Sequence, residues 1–230
     1  MTNRHPGGPV LHFPERLYPS ALRLGAVLAG GQSKRFGSPK QLAELDGTRL
    51  IESVARAVRA AGAHAVAITA PDLPDLSHLL PCRVDVHPGR GPLGGVHTAV
   101  VWARELGLTG TLCVACDTPF IPATLLRKIA EIGEASPGSV VAAETADPRG
   151  LEPLCAWYPT AAIQEIEARL DETRLSLVSL LETLPVKRIP LDEVRAHGNP
   201  EKSFFNINTP ADRDRAAEIR TSGESADEAR

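Results

Sequence analysis

The sequence predicts an α/β protein: a doubly wound, mostly parallel sheet with helices on both faces, in three layers. Three observations predict it. Short β-branched runs alternate with amphipathic stretches from residue 24 onward, which implies right-handed strand–helix–strand crossovers. The chain of 230 residues suits one substantial domain with a single core rather than two large ones. Gly30-Gly31 and Asp117 each close a predicted strand, and doubly wound sheets bind ligands at the carboxyl ends of their strands.

Taken in order, residues 1–21 carry Pro6, Pro9, Pro14 and Pro19 with Gly7-Gly8 and no apolar period, so a disordered extension is expected there. A single domain is expected over residues 22–220. Residues 24–28 read as a strand, and residues 49–61 place Leu50, Val54, Ala57 and Val58 on one helical face before Gly62 stops the helix. Residues 65–69 and 83–86 read as the second and third strands. Residues 96–106 repeat the helical spacing with Val96, Val100, Ala103 and Leu106, and residues 112–116 form the strand that ends in Asp117. A helix is expected from near Pro122. The second half predicts strands at 140–143, 154–158 and 186–189, and helices at 161–170 and 177–184. Residues 204–208 precede a last helix with Pro210 at its start, and residues 221–230 read as a flexible tail.

Composition excludes several classes of function. With 25 basic and 28 acidic side chains the chain has no nucleic-acid footprint. Every apolar run is too short for a membrane span. Cys82, Cys113, Cys116 and Cys155 lack the spacing of a disulfide framework, and the start lacks a long apolar core, so a cytoplasmic location is expected. Cys113 and Cys116 form a CxxC. Their odd offset on a strand sends them to opposite faces, which favours two core residues over a metal or redox pair.

The segment Leu28-Ala-Gly-Gly-Gln-Ser-Lys-Arg-Phe-Gly-Ser-Pro-Lys40 carries the chemistry. Its glycines let backbone N–H groups converge on phosphate oxygens, while Lys34, Arg35 and Lys40 neutralise charge. It is neither a dinucleotide fingerprint nor a P-loop, since Gly37 is followed by Ser38-Pro39-Lys40. Asp117 alone would suit a helix cap; beside the Gly-rich segment it suits Mg²⁺ held with substrate phosphates. Gly91-Pro-Leu-Gly-Gly95 precedes the helix at 96–106 and reads either as a nucleotide contact or as a tight turn. Asn206 and Asn208 share one face of an extended segment, suited to a substrate, a metal or a turn. His87 is the histidine nearest the proposed site.

These motifs together resemble the molybdenum cofactor guanylyltransferases, in the nucleotide-diphospho-sugar-transferase-like superfamily, over residues 24–219. The resemblance rests on Leu28-Ala-Gly-Gly-x-Ser-x-Arg35 with Gly37 and Lys40, on Gly91-Pro-Leu-x-Gly95, on Cys116-Asp117-x-Pro-Phe120 and on Phe205-Asn-Ile-Asn-Thr-Pro210. It implies a Rossmann-like nucleotidyltransferase fold and transfer of GMP from GTP to molybdopterin, with transient docking to molybdoenzymes or their chaperones. Leu28, Ala29, Gly30 and Gly31 would hold the guanine nucleotide, Lys40 its phosphates with Arg35, and Asp117 both Mg²⁺ and nucleotide. Gly91 and Gly94 would flank the nucleotide, and Asn206 and Asn208 would face the pterin. The positions that usually contribute an Asn and an Asp to the nucleotide site fall near Thr69 and at His87. Pro39-Lys40-Gln41 is more like the isoprenoid-pathway cytidylyltransferases, and Glu152-Pro153 replaces the family's His-Pro. Cytidylyl transfer, and non-catalytic nucleotide or pterin binding, are the alternatives.

Overall fold

The computed structural model of the protein describes residues 23–31, 39–147, 150–172 and 174–227; the expected N-terminal extension lies outside them. The first half runs β1 (Leu24–Leu28), a 3₁₀ turn (Lys40–Leu42), β2 (Glu44–Leu45), β3 (Thr48–Arg49), α1 (Leu50–Ala60), β4 (His64–Thr69), β5 (Cys82–Val84), α2 (Gly91–Glu105) and β6 (Gly110–Ala115). It continues through α3 (Ala123–Glu134), β7 (Val140–Glu144), β8 (Leu151–Pro159), α4 (Ile163–Asp171), α5 (Leu177–Leu181), β9 (Val186–Ile189), α6 (Leu191–His197), α7 (Pro200–Ser203) and α8 (Pro210–Asp227).

Seven strands form one sheet in the order β5-β4-β1-β6-β8-β7-β9, while β2 and β3 pair by themselves. Within the seven, β8 runs antiparallel to both neighbours and the other pairings are parallel. The doubly wound, mostly parallel sheet that the sequence predicts is the one observed.

The strand order explains the layers. The chain leaves β1 towards β4 and β5, then returns across β1 to β6, with Leu24 level with His64 on one side and Thr111 on the other. Right-handed crossovers in opposite directions must lay their helices on opposite faces. Accordingly α1 and α2 take opposite faces; α3 and α6 join α1, over Val27, Ala67, Val114 and Trp157. The other face carries α2, α4 and α5, over Leu24, Ala26, Cys113 and Tyr158. Cys113 and Cys116 fall into different clusters, as their odd offset requires, and both are buried. Burial, with Asp117 alongside, pushes the Cys116 thiol up to about 12, so it is a core group rather than a nucleophile.

Several boundaries differ from expectation. α2 begins at Gly91 instead of residue 96, so Gly91-Pro-Leu-Gly-Gly95 is its first turn rather than a preceding loop. Pro92 fits there because first-turn N–H groups need no helical partner, and buried Leu93 anchors the turn. β5 ends at Val84, two residues early. α5 ends at Leu181 and β8 starts at Leu151. The hairpin β2–β3 and the helices α6 and α7 are too short to register as periodicity. α8 runs to Asp227 and so enters the segment read as a flexible tail. Its start is a capping box: Thr209 Oγ1 accepts from Asp212 N at 3.1 Å, and the Asp212 carboxylate accepts from Thr209 N at 2.8 Å.

The fit of α3 on the sheet depends on a missing side chain. A Cβ on Gly133 would lie 2.3 Å from Trp157 Cγ, inside a fully packed cluster. Gly133→Ala is therefore expected to destabilise the fold by about 1–3 kcal/mol through overpacking, although alanine is the better helix former. Urea unfolding monitored by tryptophan fluorescence checks this; an unchanged midpoint would show that α3 can shift freely.

Candidate active site

The cleft lies where the strand order reverses, above the carboxyl ends of β1 and β6. The backbone there is tied across strands: Ala29 N donates to Ile68 O at 2.8 Å and Cys116 N to Leu28 O at 3.3 Å. Gly30 and Gly31 leave β1 at this rim, Asp117 leaves β6, and both border a cleft of about 1180 Å³. Two distant sequence features thus meet at one switch point.

Lys40 joins them. Pro39 and the 3₁₀ turn after it present the ammonium group to the cleft, where Nζ bonds Asp117 Oδ2 and, at 2.7 Å, Asn208 Oδ1. Asn208 arrives through the backbone: Ile207 N donates to Asp117 O at 3.0 Å, with Ile207 fully buried. Alternation then puts Asn206 and Asn208 on the cleft side, as their spacing predicts. Asn208 N is itself held by Asp212 Oδ2 at 3.0 Å, so the cap of α8 positions a cleft residue.

Asp117 Oδ1 is buried and finds no hydrogen-bond partner among the described residues. A buried carboxylate oxygen without a donor suits a cation. Among the described residues no cluster of three or more His, Cys, Asp or Glu exists. The donor set therefore fits Mg²⁺ bound through one carboxylate and substrate phosphates, rather than an all-protein cage.

Other expected positions divide. Leu28, Gly30, Gly31, Lys40, Gly91, Asp117, Asn206 and Asn208 border the cleft; Ala29, Thr69, His87 and Gly94 do not. The Ala29 methyl is fully buried, and the Thr69 carbonyl holds Asp85 N at 2.7 Å. Arg35 lies outside the described residues. His87 turns away and meets His97 edge to face at 4.7 Å. The acidic group after the third strand is Asp85 instead, which borders the cleft and accepts from Thr98 Oγ1 and His87 N, both at 2.9 Å. Sequence reasoning missed it by extending the strand through Val86. It also passed over Gln41, buried at the cleft with Nε2 unpartnered among the described residues, and Ser176.

A model of the MobA-like NTP transferase domain matches residues 25–187. The chain belongs to the MobA-like NTP transferase family. As a MobA-like protein it is 32% identical to a probable molybdenum cofactor guanylyltransferase of Pelotomaculum thermopropionicum over 82% of this chain and 88% of the relative. It is also 32% identical to the molybdenum cofactor guanylyltransferase of Desulfosudis oleivorans, over 84% and 93%. Among solved structures, molybdopterin-guanine dinucleotide biosynthesis protein A of Archaeoglobus fulgidus superposes with a TM-score of 0.70 at 28% identity, covering 86% of this chain and 98% of that one. The MobA-like fold places Gly94 directly under Asp85: a Cβ there would sit 2.7 Å from His87 O and 2.9 Å from Asp85 Oδ2. No helix among the described residues is long and apolar enough to cross a membrane.

Two outcomes follow from this wall of the cleft. Gly94→Ala must push the 85–90 loop off α2, so nucleotide affinity is expected to fall about tenfold or more, at a folding cost of about 1–3 kcal/mol. Isothermal titration beside a melting curve separates the two effects. His97, buried at 5% exposure with Nε2 3.3 Å from Glu167 Oε1, is held below its ordinary 6.5 by burial, which Glu167 partly opposes. The unfolded chain takes that proton more readily, so the His97 contribution to stability is complete above pH 6.5 and is lost as pH falls through the folded value. Urea midpoints at pH 7.5 and 5.5 should differ more for the wild type than for His97→Gln.

Proposed function

We propose that this chain transfers GMP from GTP to the terminal phosphate of molybdopterin, forming the guanine dinucleotide cofactor and releasing pyrophosphate. The observation that carries the reading is the Lys40–Asp117–Asn208 constellation at the switch point of a MobA-like fold. An acceptor phosphate oxygen forms the new bond to the α-phosphorus, and the bond between that phosphorus and the bridging oxygen breaks, its electron pair leaving with pyrophosphate. A phosphate oxygen is already anionic at neutral pH, so no protein nucleophile or general base is required; positioning and charge stabilisation carry the rate.

Each side chain has a part in this. Lys40, steered by Asp117 and Asn208, neutralises negative charge that builds on the phosphates, and Arg35 shares that task. The amides of Asn206 and Asn208 orient the acceptor. The Gly30-Gly31 backbone lets the triphosphate approach the rim without a side chain in the way; a Cβ on Gly31 would meet nothing within 4 Å among the described residues. Mg²⁺ held by Asp117 would supply further neutralisation of the phosphate oxygens. A cytoplasmic location and transient docking to a receiving molybdoenzyme complete the proposal.

Pyrophosphate release from GTP with molybdopterin tests it. The wild type should turn over with GTP and not with CTP. Lys40→Ala should lose about 10²–10³ in kcat, as for removal of one electrostatic donor, and Asp117→Ala should abolish turnover while remaining folded. Saturating GTP with Mg²⁺ should stabilise the wild type by about 2.7 kcal/mol at 100 times its dissociation constant. Turnover with CTP in place of GTP would reassign the base, and undiminished pyrophosphate release by Asp117→Ala would remove the metal role.

A further inference from the structure

We infer that Asp72 holds the sugar of the nucleoside triphosphate: its carboxylate accepts from the ribose 2′- and 3′-hydroxyls. This rests on the proposed function only for the triphosphate, and holds whichever acceptor is used. β1, α1 and β4 make the first strand–helix–strand unit of the sheet, with β1 and β4 parallel and paired. In dinucleotide-binding sheets an acid beyond the helix of such a unit hydrogen-bonds the ribose 2′-hydroxyl. Here β4 ends at Thr69, and Asp72 is the first acid after it. Rim order gives the same assignment. Gly30 after β1, Asp72 after β4 and Asp85 after β5 border the cleft in that order, on strands about 4.8 Å apart. A nucleotide lying along this rim with its phosphates at Gly30 and Lys40 brings its sugar to the end of β4 and its base to the end of β5. The opposite direction leads to β8, where Leu154 is apolar and the Glu152 carboxylate already accepts from Leu154 N at 3.4 Å.

The backbone presents Asp72 to the cleft. Residues 70–73 make a tight turn, closed by Leu73 N donating to Ala70 O at 3.2 Å, and Pro71 pre-sets its second position. Ala70, Pro71 and Asp72 all border the cleft. Asp72 is exposed, and its side chain makes no hydrogen bond or ion pair with any described residue. The acids on either side of it along the chain and the rim are engaged. Asp75 accepts from Ser77 N at 2.8 Å on one oxygen and from Ser77 Oγ at 2.9 Å on the other. Asp85 Oδ1 accepts from Thr98 Oγ1 and His87 N. At this point of the rim both oxygens of Asp72 are open to an incoming ligand.

The chemistry selects the part of the ligand. An ionised carboxylate only accepts hydrogen bonds, so it repels phosphate and pairs with O–H or N–H groups. The cis-diol of a ribose carries two O–H donors side by side, matched to the two oxygens of one carboxylate, and hydrogen bonds to an ionised acceptor are the strong ones. Being exposed, Asp72 gives up little hydration to make them. The same charge, one strand from Gly30, opposes any slippage of the phosphates towards β4 and so keeps them at Lys40.

Isothermal titration of GTP and 2′,3′-dideoxyGTP, with Mg²⁺ and without acceptor, tests the assignment. The wild type should bind GTP about tenfold or more tighter, the scale of a hydrogen bond to a charged group, with 2′-deoxyGTP between the two. Asp72→Ala should bring GTP and the dideoxy form within about threefold of each other, while binding the dideoxy form at least as tightly as the wild type does. Its melting curve should match the wild type, since the side chain is exposed. Equal affinity of the wild type for both nucleotides overturns the inference without recourse to any variant. So does a preference that survives Asp72→Ala, or an equal loss of both nucleotides in Asp72→Ala, which would assign the residue to the shape of the turn. The same comparison with CTP and 2′,3′-dideoxyCTP reads the sugar identically if turnover selects that base. Failure of the wild type to release pyrophosphate with molybdopterin defeats the proposed function instead, and the sugar titration reads independently of turnover.

Discussion

The Lys40 ammonium group binds together three segments that the chain keeps far apart: the turn after the Gly-rich segment, the end of β6 at Asp117, and the extended stretch at Asn208. A largely buried ammonium needs acceptors, and these two oxygens come from segments 77 and 168 residues away along the chain. The rest of the site is arranged around that requirement. Ile207 packs under Asp117 and pairs with its carbonyl, and the capping box of α8 holds the backbone of Asn208. Disturbing the start of α8, which does not border the cleft, therefore reaches Lys40 through two hydrogen bonds.

The cleft also holds polar atoms that folding leaves unsatisfied. Asp117 Oδ1 and Gln41 Nε2 are both buried without partners among the described residues. Each such atom costs about 1–3 kcal/mol of desolvation. The large apolar clusters on both faces of the sheet offset that cost, and a ligand that supplies the missing partners recovers it. Stability and affinity are coupled here through the same few atoms.

Much of this was legible in the sequence because periodicity reports burial. The apolar run of β1, the face of α1 and the opposed cysteines of β6 all followed from spacing, since a two-sided sheet leaves few other arrangements. Asp117 was legible for a different reason: a charged group at a strand end has only the rim to occupy. Lys40 stood out as a cation in the Gly-rich segment. What escaped depends on contacts between distant segments. Nothing in the residues of β5 says that pairing with β4 stops at Val84, so Asp85 was passed over in favour of His87. Gly94 looks like a turn glycine until Asp85 and His87 are seen pressing on it. The reversal of β8 is likewise invisible locally, because an apolar run buried on both faces reads the same in either direction.

That reversal brings the first residues of β8 to the rim rather than to the opposite end of the sheet. Leu154 of β8 and Leu175 and Leu177 near α5 then line the cleft beside Glu152, while residues at the ends of β5, β4, β1 and β6 line it further along. Within the sheet the two regions are joined by the pairing of β6 with β8. A surface turn accepts added residues at small entropic cost, whereas a central parallel strand accepts none without shifting its register. Length can thus vary between β7 and β8 while the register of the parallel strands, and with it the placing of Gly30 and Asp117, is kept.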